Sequence, residues 1–181
     1  MKYICIRQYD MTDCGAACLA TISKTYGLKN SIAKIRDIAG TDSDGTSALG
    51  IVKAAEKLGF SAKGLKIKKE VLEAKVDIPL PCIAHVVIND RLQHYIVIHK
   101  ITNNHIIIAD PGKGIVKLSK KQFFGEEKTS DGILYKWTGL VIIVKPTISI
   151  RQNNEGKGLF GKFFHIIWAE KKLLLNIVLA S

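Results

Sequence analysis

The sequence predicts an α+β domain in which a helical lobe at the N-terminus packs against an antiparallel β-sheet. Segments before residue 60 are rich in helix formers and carry helix start and stop signals. Later segments are short runs of isoleucine and valine separated by asparagine, aspartate and glycine, which is typical of strands. A hydrophobic fraction of 47% in 181 residues is ample for a packed core. Wholesale disorder is therefore excluded.

Three helices are predicted before residue 60, over residues 13–26, 31–39 and 47–58. At the first helix, Thr12 or Asp13 can accept hydrogen bonds from the first exposed N–H groups, and Gly27 ends it. The third helix is opened by the sequence DGTS and closed by Gly59.

Five strands are predicted after residue 80, with the sequences PCIAHVVI (81–88), HYIVIHKI (94–101), HIIIAD (105–110), GIVKL (114–118) and GLVIIV (139–144). Short polar connections favour one antiparallel sheet. The domain is predicted to cover residues 1–145.

The C-terminal part is predicted to be a linker followed by the start of a membrane domain, over residues 146–181. The stretch after Pro146 is polar and contains glycine, and the last mostly apolar run, residues 173–181, has nine residues where a bilayer span needs about 20. Aromatic and basic residues after position 160 suit a membrane interface, and an amphipathic tail helix is the competing interpretation. The sequence GKGLFGK resembles a phosphate-binding loop, but Phe163 replaces the Mg²⁺-binding Ser or Thr, so nucleotide binding is rejected here.

Charge and cysteine content limit the possible functions. A formal net charge of +11 favours acidic partners, but no nucleic-acid-binding motif is present, so a solvated basic surface is the better interpretation. No secretory signal precedes the four cysteines, which indicates a reducing compartment and free thiols. The cysteines lack metal-ligand spacing, so no metal site is predicted.

Cys14 stands out because it lies in the first turn of the first predicted helix, where unpaired N–H groups and the helix dipole favour a thiolate. The small residues of CGAA leave room for a substrate backbone, and the Gln8 amide could donate to an oxyanion beside the Cys14 N–H. The charge of Asp13 opposes a thiolate, so a cationic partner is needed. Burial without chemistry is the alternative for a lone helical cysteine, and we assign it to Cys18.

A cysteine nucleophile requires an imidazole, and hairpin geometry selects His94. If residues 102–104 form a three-residue loop, Ile101 faces His105 and His94 faces Gly112. Asp110 is then the diagonal neighbour of His94 on the same face of the sheet. A two-residue loop would place the two on opposite faces.

The other histidines are weaker candidates. His85 lies on a neighbouring strand without a convenient carboxylate, and we expect it to support the core or the site. His99 lies on the other face by period two and His105 at the turn, so both are predicted at the surface. His165 lies in the C-terminal part.

The segments QYDMTDCGAACLATISKTYG, GTSALGIVKAAEKLGF, LPCIAHVV, HYIVIHKI and ADPGKGIVKLS resemble, in order and spacing, the papain-like peptidase domain at the N-terminus of peptidase-containing ABC transporters. These are bacterial exporters of bacteriocins and signalling peptides. The resemblance covers about residues 1–145. It implies a papain-like fold and a cysteine endopeptidase that removes an N-terminal leader after a double-glycine motif.

By matching positions, the resemblance makes Cys14 the nucleophile, His94 the general base and acid, Asp110 its orienting group and Gln8 the oxyanion donor. Gln93 departs from the family pattern, in which a small residue often precedes the histidine, and we expect it to affect substrate fit.

The resemblance also implies the setting of the domain. It implies no cofactor in this fragment, with ATP and Mg²⁺ bound by a separate nucleotide-binding domain. The expected partners are a double-glycine leader peptide and the remainder of the transporter, and the expected location is the cytoplasmic face of a bacterial plasma membrane.

Three other functions remain open from the residues alone. One is a non-cleaving leader-binding domain, although such domains lack the nucleophile that is present here. Another is a Cys-His-Asp acyl transferase, such as a transglutaminase or arylamine acetyltransferase, because the triad fixes the intermediate and not the acyl acceptor. The last is a basic membrane-surface module in which Cys14 is merely buried.

Overall fold

The computed structural model describes residues 3–73 and 78–147, and the chain as far as Lys145 forms one compact unit. The predicted linker and membrane segment, residues 146–181, lies outside the described residues except for its first two positions. His165 and the aromatic and basic tail lie outside them as well.

The three predicted helices are confirmed as α1 (Cys14–Thr25), α2 (Ile32–Ala39) and α3 (Ala48–Lys57). Their ends follow the expected signals. Ser31 and Ser47 cap α2 and α3 by accepting hydrogen bonds from backbone N–H groups of the first turn. Gly27 and Gly59 follow α1 and α3 with positive φ angles of 79° and 91°, a conformation that glycine adopts without strain.

The predicted strands form part of a six-stranded sheet with the order β1-β6-β2-β3-β4-β5. The strands are β1 (Phe60–Lys66), β2 (Cys82–Ile88), β3 (Leu92–Ile101), β4 (His105–Asp110), β5 (Gly114–Ser119) and β6 (Tyr135–Pro146). The pairings β2–β3, β2–β6, β3–β4 and β4–β5 are antiparallel. The α+β fold class is therefore confirmed.

Three elements were not predicted: β1 and the short helices α4 (Lys69–Glu73) and α5 (Lys120–Phe124). β1 is an edge strand with Lys63 and Gly64 exposed in its middle, which hides the alternating pattern of a half-buried strand. α5 has one turn and is defined by a capping box between Ser119 and Gln122.

The β3–β4 hairpin differs from its predicted register next to the turn. Ile101 pairs with Ile106 rather than with His105, because Thr102 and His105 bond to each other across a two-residue loop. A β-bulge at His99 then adds one residue to β3 and restores the predicted register from Ile98 onward. The end of the hairpin that carries His94 therefore follows the prediction.

Candidate active site

Cys14 is the first residue of α1 and is only 6% exposed. The residues after it are packed in the protein: Ala16 and Ala17 are fully buried, and a Cβ on Gly15 would lie 2.9 Å from Thr46 Cβ. The expectation that these small residues leave room for a substrate is wrong. Their size instead lets the start of α1 approach its neighbours closely.

Asp13 does not cap α1, which corrects the prediction. Its carboxylate turns back and accepts hydrogen bonds from the N–H groups of Tyr9 (3.2 Å) and Asp10 (3.1 Å), and it forms an ion pair with Arg36. Arg36 also contacts Asp10 at 3.2 Å. The negative charge beside Cys14 is thus offset by a guanidinium from α2, and the loop between Gln8 and Cys14 is held in place.

His94 lies on β3, is 6% exposed, and its Nε2 lies 2.8 Å from Asp110 Oδ1. Burial by itself lowers the pKa of His94. The hydrogen bonds to Asp110 and to Cys14, together with the negative charges of both groups, outweigh burial and raise this pKa to about 9. Because Nε2 is occupied by Asp110, Nδ1 remains for Cys14. The structure therefore brings together all three residues of the predicted triad.

Asp110 is buried and accepts three hydrogen bonds. Oδ1 accepts from Gly112 N at 2.8 Å as well as from His94, and Oδ2 accepts from the Tyr135 hydroxyl at 2.7 Å. Burial raises the pKa of Asp110, but the interactions with His94, Tyr135 and Gly112 hold it below its ordinary value. Sequence reasoning missed Tyr135, which precedes the isoleucine and valine run that marked β6.

Gln8 is placed next to this carboxylate by the backbone. Its N–H donates to the carbonyl of Pro111 at 3.1 Å, in the turn that follows Asp110. Its side-chain Oε1 is buried and has no hydrogen-bond partner within the described part of the chain. A buried amide oxygen without a hydrogen-bond partner needs an explanation. Contact with a bound ligand is one such explanation.

His85 supports the core, as expected: its Nδ1 lies 3.0 Å from Thr138 Oγ1, and its ring packs edge-on against Tyr95. Burial and the charge of His94 lower the pKa of His85. The surface position predicted for His99 is wrong. It is half-buried in the β-bulge, and its Nε2 contacts the carbonyl of Ile4 at 2.7 Å.

The remaining three cysteines are free thiols, as expected. Cys18 and Cys82 are fully buried, and burial raises the pKa of Cys82 to about 12. No group of three or more His, Cys, Asp or Glu among residues 3–73 and 78–147 is arranged to hold a metal ion. No helix in those same ranges is long and apolar enough to cross a membrane.

The sequence is similar to that of peptide-processing transporters. It is 41% identical over 177 residues to the lactococcin-G-processing and transport ATP-binding protein LagD of Lactococcus lactis subsp. lactis, covering 98% of this chain and 24% of LagD. It is 36% identical over 176 residues to the transport/processing ATP-binding protein ComA of Streptococcus pneumoniae, covering 96% of this chain and 23% of ComA. The chain thus spans about a quarter of the length of the curated relatives it matches.

Solved structures show the same fold. The peptidase domain of Streptococcus ComA matches with a TM-score of 0.70 and 39% identity, covering 81% of this chain and all of that domain. A double glycine motif protease from an AMS/PCAT transporter, solved with its leader peptide, matches with a TM-score of 0.67 and 32% identity over 81% of this chain and 93% of that one. The expected papain-like peptidase fold is confirmed. The model of the Peptidase C39 family matches residues 2–149. The chain therefore belongs to the Peptidase C39 family of cysteine peptidases.

Proposed function

We propose that this domain is a cysteine endopeptidase that removes the N-terminal leader of an exported bacteriocin or signalling peptide by cutting after a double-glycine motif. The observation that carries the proposal is the buried His94 imidazole, which bonds to Asp110 at 2.8 Å and interacts with Cys14, the first residue of α1. Family membership and the processing functions named for the relatives support the same reaction.

The mechanism assigns one task to each residue. The Cys14 thiolate attacks the carbonyl carbon of the second glycine, and the Cys14 N–H and the Gln8 amide donate to the developing oxyanion. Protonated His94 gives its proton to the departing amine as the carbon–nitrogen bond breaks. His94 then takes a proton from water, which attacks the thioester and releases the leader with a free carboxylate. Asp110 holds the ring and stabilises its positive charge throughout.

Burial of the reacting groups gives a physical reason for the glycine requirement. Cys14 and His94 are each only 6% exposed, so a substrate must bring its backbone close to them. Glycine lacks the Cβ that would obstruct this approach, and it adopts a wide range of backbone angles. Two glycines supply little binding energy, so the leader upstream of them must contribute most of the affinity.

The relatives that this chain resembles are processing and transport ATP-binding proteins, and the proposal for the whole protein rests on them. We infer that the domain works at the cytoplasmic face of a bacterial plasma membrane, joined to the membrane domain and ATP-binding domain of an ABC exporter. ATP and Mg²⁺ would bind to that other domain.

Cleavage of a synthetic precursor with a double-glycine leader, followed by mass spectrometry, tests the proposal. The 181-residue chain should release the leader with a free carboxylate, and Cys14→Ala and His94→Ala should abolish cleavage while retaining peptide binding. Cys82→Ala, which removes a fully buried thiol from the sheet, is the matched control and should retain cleavage. Cleavage persisting in Cys14→Ala would refute the assigned nucleophile, and transfer of the leader to an added amine would indicate an acyl transferase.

A further inference from the structure

We propose that Tyr135 is a positioning residue of the active site, whose hydroxyl keeps Asp110 ionised and correctly oriented toward His94. The proposal deepens the peptidase function proposed above and rests on it. The Tyr135 hydroxyl acts on the reaction only through the Asp110 carboxylate, to which it donates.

The geometry divides the donors unequally between the two oxygens of Asp110. Oδ1 accepts from both His94 Nε2 and Gly112 N, each at 2.8 Å. Oδ2 accepts from Tyr135 at 2.7 Å, and among residues 3–73 and 78–147 no other hydrogen-bond donor contacts it. Without Tyr135, one oxygen of a carboxylate that is 3% exposed would lack a partner.

The fold fixes Tyr135 in this position. It is fully buried at the start of β6, where it pairs with Ile88 of β2. Burial and the charge of Asp110 raise the pKa of Tyr135 far above its ordinary value, so the hydroxyl stays protonated and acts as a donor. A donor from a rigid strand fixes the plane of the carboxylate, and that plane directs the His94 ring.

An ionised carboxylate is what the site needs from Asp110. A buried carboxylate that loses a donor becomes easier to protonate, and a protonated Asp110 cannot stabilise the imidazolium. Among residues 3–73 and 78–147, the titratable or charged groups around Asp110 are His94, Tyr135, Cys5, Cys18 and Arg7. Of these, His94 and Tyr135 are the two whose side chains donate to the carboxylate itself.

A purely structural role is the competing explanation, because buried tyrosine hydroxyls usually find some acceptor. Tyr135→Phe separates the two. We expect kcat for leader cleavage to fall about 10- to 100-fold, the range of one hydrogen bond to a charged group, with KM unchanged. The titration midpoint of the Asp110 carboxyl, followed by ¹³C NMR, should move to higher pH, and the acidic limb of the kcat profile should move with it.

Two controls test whether the effect of Tyr135→Phe depends on the contact with Asp110. Tyr3→Phe removes a tyrosine hydroxyl near His99 and should leave kcat and the Asp110 midpoint unchanged. In an Asp110→Ala background, Tyr135→Phe should cause no further loss in the rate at which iodoacetamide alkylates Cys14. An unchanged Asp110 midpoint in folded Tyr135→Phe, or an equal loss in the Asp110→Ala background, would overturn the proposal.

The role of Tyr135 can still be decided if Tyr135→Phe does not fold or if the wild-type chain does not cleave the leader. If Tyr135→Phe does not fold, 3-fluorotyrosine at position 135 keeps the shape and strengthens the donor, so the Asp110 midpoint should move to lower pH, and no movement would overturn the proposal. If the wild-type chain cleaves no leader, the peptidase function fails. The Asp110 titration and the alkylation rate then still decide the role of Tyr135.

Discussion

Raising the pH from about 6 to about 9.5 should remove the stabilisation that protonated His94 gives the folded domain. The pKa of His94 is about 9 in the folded chain, against an ordinary value of 6.5 that the unfolded chain should show. The folded state therefore binds this proton more tightly than the unfolded state. The stabilisation is fully present below pH 6.5 and is lost as the pH rises through 9.

The difference between these two pKa values corresponds to about 3 kcal/mol of unfolding free energy. The ring and its acceptor are almost completely buried, with side-chain exposures of 7% for His94 and 5% for Asp110, so solvent screens the pair little. Asp110 has a lowered pKa and remains ionised across this pH range. Asp110 therefore does not contribute to the pH dependence of the unfolding free energy in this range.

Urea unfolding followed by circular dichroism, repeated across the pH range, measures the effect. His94→Gln is the matched control because it fills similar space and does not titrate. Groups that do not interact with His94, such as the buried Cys82 thiol, titrate alike in both proteins and cancel in the difference. The stability advantage of the wild type over His94→Gln should shrink by about 3 kcal/mol between the two ends of the range.

An advantage that stays constant with pH would refute the reasoning, because it would mean that the folded and unfolded chains bind the His94 proton equally. The same titration predicts the activity profile. In the proposed mechanism the imidazolium protonates the leaving amine, so kcat/KM should fall as the pH rises through about 9. A falling limb near the ordinary histidine value of 6.5 would contradict the raised pKa.

Further substitutions test individual contacts. Asp110→Asn should lower kcat/KM at least about 100-fold and move the falling limb of its pH profile to lower pH, and an unchanged limb would refute the charge interaction. Gly15→Ala should destabilise the domain by about 1–3 kcal/mol in urea unfolding, because the added Cβ overlaps Thr46. Gly64→Ala, with nothing within 4 Å of its added Cβ, should not. Arg36→Met should lower the cleavage rate several-fold, because it leaves the Asp13 charge beside Cys14 without its ion-pair partner. Adding Asp13→Asn to Arg36→Met should restore part of the rate. If it does not, Arg36 does not act by neutralising Asp13.

Local signals made the helices predictable from the sequence. Ser31, Ser47, Gly27 and Gly59 act within one or two turns of the chain, and each is found where its signal placed it. Signals that act over longer distances were weaker. β1 is an exposed edge strand that owes its strand conformation to pairing with β6, about 70 residues later in the chain.

The hairpin shows how the predicted contact between His94 and Asp110 can form even though the predicted turn is wrong. A two-residue loop at Asn103 and Asn104 taken alone would put His94 and Asp110 on opposite faces of the sheet. The bulge at His99 reverses that shift, and nothing in the local pattern of isoleucine and valine marks it. His99 occupies the bulge while its imidazole contacts Ile4, a contact that only the folded chain provides.

The two site residues that sequence reasoning missed share a physical cause. Tyr135 contacts Asp110 across 25 positions, and Arg36 contacts Asp13 across 23. Each neutralises or satisfies a charge that the motif itself introduces, the first at Asp110 and the second beside Cys14. The motif can show that a partner is needed, because the charge of Asp13 calls for a cation. The motif does not show which residue supplies that partner.

The N-terminal segment explains how these distant parts meet. Ile4 O bonds to His99 on β3, Ile6 N to Thr21 on α1, and Gln8 N to Pro111 after β4. One short stretch is thus joined to each of the three elements that carry or adjoin Cys14, His94 and Asp110. Because Gln8 ends this stretch, the proposed oxyanion donor is positioned by hydrogen bonds that join this stretch to both α1 and the sheet. The position of Gln8 and the assembly of the triad should therefore be lost together when this segment detaches.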